Sequence, residues 1–302
     1  YPGSPMPNIL VVIDPEESEH SALNRIKEIP PTADVNYTVV LYLSPASVMA
    51  KKASASVISA LEETKAAWLH DLVAPLLAVG YRINVEVVTF TRLYEEIIKS
   101  AEKISAHMIF KPLRQHGVLK RAFYTSTDRK LIRLCPTPLL LVSDQGQIHG
   151  KPIVAAIDIS DRDEAHSQLN ADVMAQAKVL ARVLESEIHM VYAFRPAVVT
   201  TVAADPLAYQ ITRDHYDNEH KMLVALAEQH SIAIDNVSMR EGTADEVLFR
   251  HAKDSHAGVI VLGTVARSGA SGLFIGNTAE AVLETTETDV LVVKAAGFQT
   301  PT

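Results

Sequence analysis

The 302-residue chain has a single cysteine, Cys135. One thiol cannot close an internal disulfide, supply a structural metal site or form a CxxC redox pair, so a reducing compartment fits. Long apolar runs are also missing. Stretches such as 138–142 and 259–262 fall far short of the roughly 20 residues that cross a bilayer. No charged-then-apolar leader opens the chain, and the expectation is a cytoplasmic protein with no membrane partner. Residues 1–5 ahead of Met6 read as a tag remnant, so the fold is expected to start at Met6. Positive charge is in deficit: 28 Lys and Arg stand against 36 Asp and Glu, a formal net charge of −8. With no cationic excess to displace counterions, nucleic acid and anionic lipid drop out as expected partners. A small molecule or a protein remains.

What the chain does have is an internal repeat. Residues 8–14 and 152–158 both read as buried strands ending in an acid, Asp14 and Asp158, and lie 144 residues apart. Further on, 106–110 aligns with 257–261 at an offset of 151, which holds to 138–142 against 289–293. The second half therefore carries seven extra residues, expected within 198–209. A repeat of half the chain is domain-sized and points to duplication. The expected domains are 6–144 and 151–297, joined by a polar, glycine-containing stretch at 143–150.

Within each half, strand-like runs alternate with amphipathic helix-length segments. Residues 54–77 place Val57, Leu61, Trp68, Leu72 and Leu76 on one helical face, which reads as core. Segments 93–105 and 244–255 lead with the acids Glu95-Glu96 and Asp245-Glu246, suited to a helix N-terminus. The alternation predicts an α/β chain: two tandem, doubly wound domains, each with five mainly parallel strands.

The stretch most suggestive of chemistry follows the strand at 259–262. Gly263, Gly269, Gly272 and Gly276 fall between that strand and a helix expected over 279–285. In open α/β sheets ligands sit at the carboxyl ends of strands, and a helix N-terminus presents unpaired N–H groups to an anion. Glycine lets the backbone approach phosphate oxygens. The pattern is neither a Walker A loop nor GxGxxG. The other reading is a long loop whose glycines serve turns.

The strand order and the stretch 263–294 resemble the universal stress proteins, in particular the tandem E type, and the resemblance covers both halves. In that family a G-x-x-G-x9-G-(S/T) loop holds ATP phosphates and ribose. The matching residues here are Gly263, Ala266, Gly276 and Asn277, followed by Thr278 at the helix start. Ala266 adds a methyl and Asn277 an amide where the family has glycine and a hydroxyl. The resemblance further implies that Asp158 contacts the nucleotide and that Tyr192 and Ala193, at the end of the second strand, face adenine. Asp158 equally suits a cap for the turn that follows it.

In the first half the same offset places Pro112 opposite Gly263, Gln115 opposite Ala266, and Thr125-Ser126 opposite Gly276-Asn277. Proline has no N–H to donate, so a triphosphate is not expected to bind there in the same way. Lys111, Arg114, His116, Lys120 and Arg121 read as a solvated basic loop, and Thr125-Ser126-Thr127 before Asp128 as a helix cap. Twelve histidines show no HxxxH or HExxH pair in a convincing helix. No metal ligand and no catalytic residue is assigned. His166, His189 and His251 read as surface or satisfied core residues, and Cys135 as a buried filler.

The resulting expectation is a stress-associated ligand sensor that takes ATP, with or without Mg²⁺, or another adenine nucleotide in its second domain. Turnover is not required, and slow hydrolysis is the most that is expected. Three other readings stay open: a scaffold working through an unknown protein partner, an apolar or lipid-like ligand between the domains, and a higher oligomer. The family's dimer contact implies that strands 138–142 and 289–294 form a pseudo-dimer within one chain.

Overall fold

The computed structural model describes residues 6–17, 19–44, 55–115, 122–123, 125–144, 146–160, 163–196, 206–264, 267–269, 272–274, 279, 281–283 and 286–298. Two compact units divide the chain, one reaching to Gly146 and one spanning Gln147–Phe298.

The first unit runs β1 (Asn8–Ile13), α1 (Ser21–Ile26), β2 (Asn36–Leu43), α2 (Ala55–Ala78), β3 (Arg82–Thr89), α3 (Leu93–Lys103), β4 (Met108–Pro112), a short pairing of β5 (Arg114–Gln115) with β6 (Ala122–Phe123), α4 (Ser126–Leu134) and β7 (Leu139–Val142). Its sheet has the order β3-β2-β1-β4-β7, every pair parallel. The second unit repeats the plan with β8 (Ile153–Ala156), α5 (Glu164–Leu184), β9 (Ile188–Phe194), α6 (Pro206–His230), β10 (Val237–Glu241), α7 (Ala244–Asp254), β11 (Val259–Thr264), the hairpin β12 (Arg267–Gly269) and β13 (Gly272–Phe274), and β14 (Asp289–Lys294). Its order is β10-β9-β8-β11-β14, again all parallel.

Strands covered by helices on both faces need no polar side, which explains the unbroken apolar runs. Leu10 and Val11 on β1, Val39, Val40 and Leu41 on β2, and Val259, Ile260 and Val261 on β11 are all fully buried. In each unit the chain order reverses between the first and fourth strands, β1 beside β4 and β8 beside β11. A crevice opens at the carboxyl ends of such a pair, and that is where a doubly wound sheet holds its ligand. Helix starts follow local chemistry: Asp163 caps α5 by accepting from the His166 N–H at 2.8 Å, and the acids expected at the starts of α3 and α7 lie in their first turns.

The location of the seven extra residues is a correction. Asn8 pairs with Asn36 in the first unit and Ile153 with Ile188 in the second, spacings of 28 and 35. The whole excess thus lies in the first crossover, not in 198–209. There the six-residue α1 and the 3-10 turn Pro31–Ala33 are replaced by the 21-residue α5. Prolines 30 and 31 end the first-half crossover early, since proline cannot continue a helical hydrogen-bond ladder. Residues 197–205 lie outside the described residues.

Two histidines join β9 to α7. His189 Nδ1 lies 3.1 Å from His251 Nε2, with the rings edge-to-face. Burial, reinforced by His189 and Arg240 and opposed by Asp254, pushes the His251 imidazole down to about 4; burial also lowers His189, against Glu187. A histidine in the unfolded chain takes its proton near pH 6.5. As pH falls from about 6.5 to about 4, the unfolded state therefore gains protons that the folded state refuses, and stability is lost over that window. Hydrogen exchange of the α7 amides, corrected for intrinsic rates, should show protection falling between pH 7 and pH 5, with a smaller fall in His251→Gln. Equal falls in both proteins would remove the histidine pair as the cause.

Candidate functional site

Asp158 and Gly263 stand at the carboxyl ends of the adjacent strands β8 and β11, and consecutive residues of α5 hold them there. Asn170 clamps the backbone of Asp158, its Nδ2 donating to the Asp158 carbonyl at 2.6 Å and its Oδ1 accepting from the Asp158 N–H at 3.1 Å. Leu169 packs against Gly263: a Cβ on that glycine would lie 2.5 Å from Leu169 Cγ. The glycine thus has a packing reason apart from any ligand. The exposed Asp158 accepts from the Ser160 N–H at 3.0 Å through Oδ1, a local turn bond. Asp14 repeats it, accepting from the Glu16 N–H at 3.0 Å.

Successive strand residues point to opposite faces. Since Gly263 faces α5, Thr264 faces away from it. Thr264 is 2% exposed and, among the described residues, its Oγ1 finds no hydrogen-bond partner. A buried hydroxyl without a partner costs about 1–3 kcal/mol, so such groups usually answer to a ligand or solvent. In the β11–β14 ladder Thr264 pairs with Lys294, whose ammonium lies 5.1 Å from the centre of the Phe298 ring. Sequence reading missed both residues. The hydroxyl directly after the first glycine and the lysine ending the last strand were the available signals.

Tyr192 and Ala193 do not present their side chains together. Tyr192 is buried toward α6, where its hydroxyl donates to Glu219 Oε2 at 2.8 Å; His215 Nε2 lies 3.0 Å from Glu219 Oε1. Burial, then the bond to Glu219, raises the Tyr192 phenol. Ala193 shares the opposite strand face with His189. Phe194, the last residue of β9, packs against His215 and Tyr216 of α6. Ala266, Gly276, Asn277 and Thr278 lie outside the described residues; the helix after them is described at Ala279, which is buried, and at 281–283.

In the first unit the corresponding corner differs from the sequence expectation. Lys111 is not part of a solvated loop: it is 6% exposed, and its Nζ lies 2.6 Å from Oδ1 of the fully buried Asp128. The expected cap on α4 is a full capping box between Thr125 and Asp128. Beside it, burial pushes Glu17 up to about 7, against its bond from Ser21 and reinforced by Asp14 and Asp144. Cys135 is buried, as expected.

The geometry defines a class first: two doubly wound α/β units, one with polar groups gathered at its switch-point crevice. The chain belongs to the universal stress protein family, whose model matches residues 6–143 and 150–294. It is 32% identical to Universal stress protein E of Escherichia coli K12, over 97% of this chain and 96% of that protein, and 26% identical to the Universal stress protein E homolog of Haemophilus influenzae, over 95% and 97%. Among solved structures, a functionally unknown protein from Pseudomonas aeruginosa PAO1 superposes with a TM-score of 0.78 at 28% identity, covering 96% of this chain and 93% of that one. A universal stress protein from Archaeoglobus fulgidus shares the fold, with a TM-score of 0.69 at 15% identity and coverage of 96% and 98%. The chain is thus a stress-response family member with two such domains in tandem. Among the described residues, no helix is long and apolar enough to cross a membrane.

The packing role of Gly263 gives a separable prediction. Gly263→Ala should cost about 1–3 kcal/mol through overpacking against Leu169, and Leu169→Ala about 2–5 kcal/mol through its cavity. The double variant should lose less than the two costs combined, because each change relieves the other. Urea titration followed by circular dichroism reads this, and strict additivity would contradict the contact.

Proposed function

We propose that the second unit is a ligand-sensing domain that takes ATP or another adenine nucleotide at the β8–β11 crevice, with no turnover required. The observation that carries the reading is the buried, unpartnered Thr264 hydroxyl beside Gly263, in register with Lys294 and across the crevice from Asp158. A hydroxyl donor and an ammonium suit phosphate oxygens, and an exposed carboxylate suits ribose or base donors. The glycines of 263–276 and the helix start after them supply the rest of an anion site by sequence. Among the described residues no group of three or more His, Cys, Asp or Glu is arranged to hold a metal, so any Mg²⁺ would arrive with the phosphates.

A scaffold without nucleotide is the second reading, and two observations favour it. Gly263 is accounted for by Leu169, and the Asp158 carboxylate already holds a turn bond. Calorimetric titration with ATP separates the two readings. Wild type is expected to bind, and Ala266→Gly to bind more tightly, since the change removes the methyl that departs from the family pattern. No heat in either protein would contradict the nucleotide reading and leave the scaffold.

A further inference from the structure

The two units carry different side chains where the fourth strand ends and in the first turn of the helix that follows. In the first unit that place holds a set of anion contacts, and the anion is part of the chain. Asp128 sits in the first turn of α4, is fully buried, and its Oδ2 accepts from the Thr125 N–H at 2.7 Å and from the Thr125 hydroxyl at 2.7 Å. Thr125 Oγ1 accepts in turn from the Asp128 N–H at 3.2 Å. Lys111, one residue from the end of β4, brings its Nζ to 2.6 Å from Asp128 Oδ1 and donates to the Pro112 carbonyl at 3.1 Å.

These contacts are the kinds that hold a phosphate: a backbone N–H at a helix start, a hydroxyl, and a buried ammonium on the neighbouring strand. The family's other copy in this chain lacks the pair. At the offset of 151, Leu262 stands where Lys111 does and Ala279 where Asp128 does, and both are buried and apolar.

We propose that Asp128 is the resident anion of the first unit, a built-in carboxylate that occupies the phosphate position and, locked by Lys111, keeps that unit permanently closed to phosphate-bearing ligands. The glycines lost from the first loop then follow from this closure, since a site already filled needs no backbone cradle. Division of labour between the repeats follows as well: one unit holds its anion covalently, leaving the other as the unit open to an external one. The inference concerns only the first unit and stands whether or not the second takes a nucleotide.

The test reads backbone amides that belong to the first unit. In transverse-relaxation-optimised NMR spectra, the amide signals of Thr125–Arg129 in wild type should not move when inorganic phosphate or ATP is added. In Asp128→Ala they should shift saturably with inorganic phosphate, as the freed ammonium and helix start accept it. In Lys111→Leu/Asp128→Ala, which copies the second unit, that response should be at least tenfold weaker. Saturable shifts at Thr125–Arg129 in wild type would overturn the proposal, and so would a folded Asp128→Ala that ignores phosphate. If Asp128→Ala fails to fold, Asp128→Ser vacates the carboxylate position while leaving a small hydroxyl near the start of α4. A phosphate response there supports the proposal, and silence overturns it. Loss of ATP binding by the second unit leaves all of these signals untouched, so the two readings fail separately.

Discussion

A parallel sheet covered by helices on both faces has no tolerance for unpaired polarity along its length. Its backbone groups are spent on neighbouring strands and its side chains face apolar layers. Polar chemistry is therefore driven to the strand ends, and above all to the switch point between the first and fourth strands, where crossovers leave in opposite directions and the helix starts converge. Both units obey this constraint. Asp14 and Asp158 end their first strands with the same turn bond, and in each unit a buried lysine lies at the carboxyl edge. What differs is which strand carries it: β4 in the first unit, as Lys111, and β14 in the second, as Lys294.

That difference in placement changes what the lysine can do. On β4 the ammonium meets α4 and is neutralised by Asp128, so charge, cap and hydroxyl form one closed set. Buried pairs of this sort are costly to assemble and costlier to break, because removing one partner strands a charge. In the second unit the same corner is lined by Leu262 and Ala279, and polarity moves to Thr264 and Lys294 on the neighbouring ladder. Duplication thus left the two repeats with different polar groups at this edge, a buried ion pair in one and a threonine and a lysine on neighbouring strands in the other.

Much of the fold was legible in the sequence because its signals are local or periodic. The twin strands ending in Asp14 and Asp158, the constant offset of 151 and the acids leading α3 and α7 all reflect short-range rules. What was missed depended on tertiary neighbours. The seven added residues were expected within 198–209, whereas α5 absorbs them invisibly, its helical pattern merely continuing for more turns. Lys111 read as a surface charge because nothing local shows that β4 reaches Pro112 and turns that side chain toward α4. Gly263 read as a phosphate glycine, and its packing against Leu169 is a long-range fact. Thr264 carried no motif weight, yet burial makes its hydroxyl one of the more informative polar atoms in the second unit.

The central claim is that one of the two units is open to a nucleotide and the other is filled by its own carboxylate. Native mass spectrometry of gently purified chain, with ATP added in increments, counts bound ligands directly. The account predicts a single nucleotide mass per chain at saturation. Two masses per chain, filling with comparable affinity, would contradict it.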